Sequence, residues 1–200
     1  MSAAAFWWNA AGLFLLVLWS IQRLGRGGRW FLLAALGAVA VSVIPFFGQV
    51  PRYWLSGLTP NLSVPLVALL AASILQRAGG GTFFRPREWR AAWIFGAAAS
   101  LVLYPSALGL GLRNFDAYSL GWPWLEWTRS LLLFGPVAAL SALLVWRGNR
   151  FGWILAASAA AFLFRVQESH NFWDYVLDPL FGAVSLVAVA VGAARRLTRG

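Results

Sequence analysis

The sequence predicts an all-α, polytopic helical membrane protein with about seven transmembrane helices. Three observations predict it. First, 60% of the 200 residues are hydrophobic and only 11% are charged, against roughly 25% charged in a soluble domain that must face water all round. Second, apolar runs recur at lengths near the ~20 residues that a helix needs to cross a bilayer, without the alternation of a ~10-residue barrel strand. Third, the arginines stand at the ends of those runs rather than inside them. The chain reads as one integral membrane domain over 1–200.

The N-terminal Met1-Ser2-Ala3 has no basic region and no cleavage site before a mature domain, so it does not read as a signal peptide. Helix 1 is expected over 4–22, with Trp7, Trp8 and Trp19 at the interfaces where amphipathic rings settle. Helix 2 is expected over 30–50, kinked at Pro45. An aromatic, Pro/Gly-punctuated connection over 51–61 leads to helix 3 at 62–76, whose first turn accommodates Pro65. The connection over 77–90 contains Gly79-Gly80-Gly81 but lacks the Gly-Lys-Ser/Thr ending and preceding strand of a phosphate loop, so it reads as a flexible connector. Helix 4 is expected over 91–112, helix 5 over 130–146, helix 6 over 151–166 and helix 7 over 179–194. The apolar part of helix 6 ends at Phe164. Its 14 or so residues reach only ~21 Å, so either the helix continues toward Glu168 or the chain breaks below the membrane surface.

Net charge is +10, from sixteen arginines and no lysine. In a soluble chain this would suggest nucleic acid; placement at helix ends assigns it to topology and excludes nucleic acid as a partner. Alternate loops hold twelve of the sixteen arginines, which puts those loops and the C-terminus in the cytoplasm and the N-terminus outside. Five of the six carboxylates then fall on the outer face: Asp116, Glu126, Glu168, Asp174 and Asp178. The lysine-free, Ala/Arg/Trp-rich composition suggests a GC-rich bacterial gene, and hence the bacterial cytoplasmic (inner) membrane. An Arg-x-x-Arg pair precedes helices 2, 4 and 6, at Arg26/Arg29, Arg87/Arg90 and Arg147/Arg150. Three helical hairpins after a lone first helix would fit a repeat at this spacing; equal hairpin sizes give the same spacing and are preferred, because the loops do not otherwise align.

The stretch 165–178 concentrates the polar chemistry. It holds Arg165, Glu168, His170, Asp174 and Asp178, including the chain's only histidine. Ionisable groups at membrane depth are costly and mark function by default. Asp174, His170 and Glu168 are the candidate catalytic groups, as general base or proton shuttle. Arg165, Asp178, Arg113, Asp116 and Trp173 are the candidate substrate-binding groups, with the 113–129 loop as a second wall. Arg165 and Glu168 would pair if they share a helical face; Asp174 and Asp178 would share one if 171–177 is helical. Structural readings stand beside these. Asp178 before Pro179 has the N-cap and N1-proline pattern of a helix start, and Trp173 fits an interfacial belt.

With no cysteine and one histidine, zinc and thiolate sites lack ligands. Calcium is chemically allowed but has no recognisable loop. Ser169 or Ser119 with His170 and Asp174 could form a triad, without a nucleophile-elbow motif to support it. No haem ligand pair, retinal lysine or dinucleotide fingerprint is present, so no cofactor is expected. Gly109 and Gly111 read as positions of close helix packing.

Three functions fit: handling of an amphipathic or lipid-linked substrate at the outer (periplasmic) leaflet; a non-catalytic subunit of a larger membrane complex; and a small ion- or proton-coupled transporter. The partners implied are membrane lipid or a lipid-linked substrate, with a membrane-protein partner under the second reading. The topology is directly testable: a reporter fused after Gly200 should read cytoplasmic, and one inserted in 113–129 should read external. The reverse would overturn the outer-face assignment.

Overall fold

A computed structural model describes residues 3–198 except 26–27, 46, 50, 52, 54–56, 58–60, 80, 111–115 and 123–126, and describes only the backbone of 3, 28, 43 and 127–133. Among the described residues the chain is all-α, with no strand. The helices are α1 (Ala3–Gln22), α2 (Gly28–Val43), α3 (Val64–Arg77), α4 (Pro86–Ala107), α5 (Trp127–Trp146), α6 (Phe151–Leu163), the short α7 (Phe172–Val176) and α8 (Pro179–Leu197), with a 3-10 turn at Ser119–Gly121. Two of them, α1 and α8, are long and apolar enough to cross a membrane.

Local chemistry explains where the helices stop. α2 ends before Pro45 instead of kinking through it, because the residue preceding proline is pushed out of the α region. α4 begins at Pro86, five residues before the expected start. Proline sits in its first turn, and Glu88 Oε2 reaches back to accept from Arg85 N at 2.6 Å. Its far end closes at Gly109, where Gly109 N donates to Ser106 O and Leu110 N to Pro105 O. This 5→2, 6→1 pattern needs a left-handed residue, and Gly109 has φ +73°. Gly109 is thus a helix terminator with open space around it, not a packing glycine; Gly111 lies outside the described residues. α6 ends in the same way, but with Arg165 as the left-handed residue at φ +50°. That settles the short helix 6: it stops at Leu163, so Arg165 and Glu168 do not share a helical face.

Around an apolar core that includes Leu66, Phe151, Leu155 and Phe181, large apolar side chains also face outward and small polar ones face inward. Leu32, Leu33 and Leu36 on α2 and Val187 on α8 are exposed, while Ser100, Ser158 and Ser185 are buried between helices. The tightest seam joins α4 to α8, antiparallel, through small residues. Gly96 lies against Ser185 and Phe181, and Gly182 against Ser100 and Tyr104. Backbones approach this closely only where side chains are absent or small. Ser100 Oγ donates to Gly96 O at 2.7 Å and so needs no partner on α8. A second seam joins α5 to α6, where Ser141 Oγ donates to Gly152 O at 2.8 Å.

The helix ends gather into two polar rims. At one, Glu88 Oε1 accepts from Arg150 N at 3.0 Å, Arg150 donates to Phe83 O, and Arg87 Nη2 donates to Gly148 O at 3.3 Å. At the other, residues 61–63, 104–110, 116–122 and 165–179 converge. α7 is anchored there by aromatic packing: Phe172 lies 4.5 Å from Phe134 by ring centroid, and Tyr175 meets Phe162 edge-on at 5.3 Å.

Replacing Gly182 with valine should destabilise the chain by about 2 kcal/mol or more, because the added carbon meets Ser100 and approaches Tyr104 to 3.0 Å. Valine at Gly192, which has open space, should cost far less. Thermal unfolding midpoints in detergent compare the two.

Candidate functional site

The rim around 165–178 is held by a continuous set of hydrogen bonds. Asn171 caps α7 by accepting from Trp173 N at 2.9 Å, and its amide donates to Tyr118 O at 3.0 Å. Trp173 Nε1 donates to Ala117 O at 3.1 Å. Gly121 lies so close to Asn171 and Trp173 that a Cβ there would overlap them. Asp174 accepts from the hydroxyls of Tyr118 and Ser169, one on each carboxylate oxygen. The 116–122 loop is therefore docked onto 169–174 through side chains from both segments.

Asp178 is more deeply placed, at 2% exposure. It caps α8, with Oδ1 accepting from Phe181 N at 2.9 Å. Its other oxygen accepts from Ser63 N at 2.8 Å and Ser63 Oγ at 2.5 Å. Ser63 is itself the N-cap of α3, accepting from Leu66 N at 3.4 Å. One carboxylate thus serves the starts of two helices, where backbone N–H groups and the helix dipoles favour negative charge. Burial acts in the opposite direction and dominates, raising the Asp178 carboxyl above the ordinary aspartate value despite those donors. Burial, followed by its hydrogen bond to Asp174, likewise pushes the Tyr118 hydroxyl well above the usual phenol value.

Between these groups lies a cavity of about 210 Å³. Its polar lining is Asp174, Asp178, Tyr104, Tyr118, Asn61 and Trp173; Leu103, Ala107, Leu177 and Pro179 supply the rest. The Tyr104 hydroxyl is buried and has no hydrogen-bond partner among the described residues.

The predicted residues separate cleanly. Asp174, Asp178 and Trp173 come together on the cavity. Asp174 and Asp178 do so without sharing a helical face, since α7 ends at Val176 and Asp178 belongs to the next helix. Arg165, Glu168 and His170 are exposed and do not line it. Asp116 is exposed and closes a local turn, its Oδ1 accepting from Tyr118 N at 2.9 Å. Arg113 and Glu126 lie outside the described residues. Asn61, Tyr104 and Tyr118 are the lining groups that sequence reasoning did not single out. Tyr104 carried the one available signal, a polar aromatic beside a proline near a helix end.

Among the described residues, no three His, Cys, Asp or Glu side chains gather as metal ligands would. No protein-family model, curated protein or solved structure matches the chain.

Two outcomes follow from the Asp178–Ser63 pair. Ser63→Ala removes a buried donor and a helix cap together and should cost about 2 kcal/mol. The raised Asp178 value means that the folded chain holds this proton more tightly than the unfolded chain. The stability contributed is full below the ordinary aspartate pKa and is lost as pH rises through the raised one. Asp178→Asn keeps an effective N-cap and cannot ionise, so its unfolding midpoint should depend less on pH between acid and neutral. Parallel pH profiles for the two proteins would refute the coupling.

Proposed function

We propose that the chain is a seven-span inner-membrane protein that handles an amphipathic or lipid-linked substrate at the outer leaflet, with the substrate's polar head in the Asp174–Asp178–Tyr104 cavity. The observation that carries this reading is the cavity itself: two carboxylates from separate elements and a buried hydroxyl with no described partner face one space. Its volume equals roughly seven waters at ~30 Å³ each, which suits a head group and not a whole lipid. The positive-inside rule puts this rim outside, because the arginine-bearing turns lie at the opposite end.

The exposed apolar surfaces of α2 and α8 support the spanning reading, since such surface is stable against acyl chains and not against water. α1 and α8 supply full-length spans. α4, at 22 residues, has the length of one at ~1.5 Å per residue.

The two carboxylates suit different tasks. Asp174 already accepts from two hydroxyls, one on each carboxylate oxygen, an arrangement that suits it to hold a cationic or hydroxyl-rich head. Asp178 is buried and favours its neutral form. Paired carboxylates in unlike environments are the usual basis of acid and base roles in one site. In this reading Arg165, Glu168 and His170 act at the entrance, not at the reacting centre.

One observation favours the alternative of a non-catalytic subunit: the polar atoms of 169–178 fasten loops to one another, which is also what an assembly surface requires. Native mass spectrometry of the gently extracted protein separates the two. A specific lipid-linked species retained by the wild type, and lost at least about tenfold in Asp174→Asn and Tyr104→Phe, supports substrate handling. A retained protein partner with no specific lipid, unchanged in both variants, would replace it with the subunit reading.

A further inference from the structure

We infer a second lipid site, at the arginine rim: a groove between α1, α3, α4 and α8 that takes one anionic phospholipid, its phosphate at Arg23 and Arg77 and an acyl chain along the apolar floor. The inference uses the membrane-spanning reading but is independent of the cavity at the other rim, with which it shares no residue.

The groove has a volume of about 610 Å³, within the ~300–1,000 Å³ range of sites that bury most of a small ligand. Its floor is apolar, with Leu66 and Leu70 from α3, Trp93 from α4 and Val184 from α8. Its mouth is not. Arg23 follows the end of α1 and Arg77 ends α3, and both are exposed at the same opening. No lining residue is acidic, so the groove brings two positive charges to an apolar slot without a carboxylate of its own to neutralise them.

The mouth is also held in place. Trp19 Nε1 donates to Ser73 Oγ at 3.1 Å, tying α1 to α3 along the groove. The Arg23 guanidinium carbon then lies 4.0 Å from the centre of the Trp19 ring. A cation–π contact restrains the guanidinium without consuming its N–H donors. Those donors match a phosphate, which guanidinium binds through paired hydrogen bonds. A long apolar floor excludes a soluble phosphate as the natural occupant, because the floor would then stay wet. Charge and shape together select an anionic diacyl lipid of the cytoplasmic leaflet, where polybasic protein surfaces meet anionic head groups.

The test uses the full chain in nanodiscs of phosphatidylglycerol and phosphatidylcholine in equal parts, with the lipids that remain on the ejected protein counted by native mass spectrometry. Wild type should retain phosphatidylglycerol over phosphatidylcholine. Arg23→Gln with Arg77→Gln should reduce that preference about tenfold or more, the loss of charge-assisted bonds to one phosphate. Arg77→Gln alone, which keeps the Trp19 contact, should reduce it in part. Arg147→Gln, an exposed arginine at the same rim outside the groove, should leave it unchanged. Val184→Trp narrows the slot and should lower retention while both arginines remain.

The site is refuted if the double variant keeps the wild-type preference. It is also refuted if Arg147→Gln lowers the preference equally, since the effect would then belong to rim charge in general. Unchanged retention in Val184→Trp, or displacement of the lipid by glycerol 3-phosphate, would reduce the site to a surface phosphate contact and overturn the groove. Asp174→Asn should not alter any of these readings, so failure here and failure at the other cavity are separable.

Discussion

The rest of the structure depends on one buried carboxylate. Asp178 joins Ser63, 115 residues away, and through it ties the first turn of α8 to the first turn of α3. Each helix start leaves backbone N–H groups without partners, and in a region with little water those groups must be satisfied by protein. A single aspartate does this for both, accepting three hydrogen bonds while burial opposes its charge. The balance matters. Removing one partner of such an arrangement leaves a desolvated polar group, which is more damaging than the net value of the pair suggests. The position of α3 relative to α8, and with it the wall of the cavity, follows from this contact.

The opposite rim uses the same device with different residues. Glu88 accepts from the backbone of Arg85 and Arg150, so the turn before α4 and the turn before α6 are fastened to one carboxylate at 1% exposure. Between the rims, a core of large apolar side chains such as Leu66, Leu69, Phe151 and Leu155 is joined by a close seam of small residues. Close helix–helix contact depends on small residues at the interface; Gly96, Ser100, Gly182 and Ser185 provide it between α4 and α8. Polar cross-links at both ends and a close seam between them are one consistent solution to a bundle that has few charges to spend.

How much of this is legible in the sequence can be judged from particular residues. The helical class follows from apolar run length, and the α8 start follows from Asp178-Pro179. The partner of Asp178 does not: nothing in Ser63 distinguishes it from other cap serines, and pairing across 115 residues depends on tertiary placement. The α4 start was readable, since Arg85-Pro86-Arg87-Glu88 has proline at the first turn and glutamate at its third position. The adjacent triple glycine masked it by suggesting a longer connector. Arg165 could not be foreseen as a helix terminator, because a left-handed arginine is uncommon and glycine is the residue that normally signals the position. Of the cavity lining, Asp174, Asp178 and Trp173 are marked in the sequence by the clustering of charge and aromatics between two apolar runs. Tyr104 and Tyr118 come from other segments and are brought in only by the α4–α8 seam and the docked 116–122 loop.

That seam also relates the two proposed sites. α4 contributes Tyr104 to the cavity at one rim and Trp93 to the groove at the other, and α8 contributes Asp178 as its cap and Val184 within its second turn. The Gly96–Ser185 and Gly182–Ser100 contacts lie between them. Backbone approach at these positions leaves no room for a Cβ on either glycine, so α4 and α8 are in close contact over this length. A change that separates the two helices would widen the wall of the cavity and the floor of the groove at once. The residues that shape each site are therefore held by a contact that belongs to neither, and packing in the middle of the bundle sets the geometry at both ends.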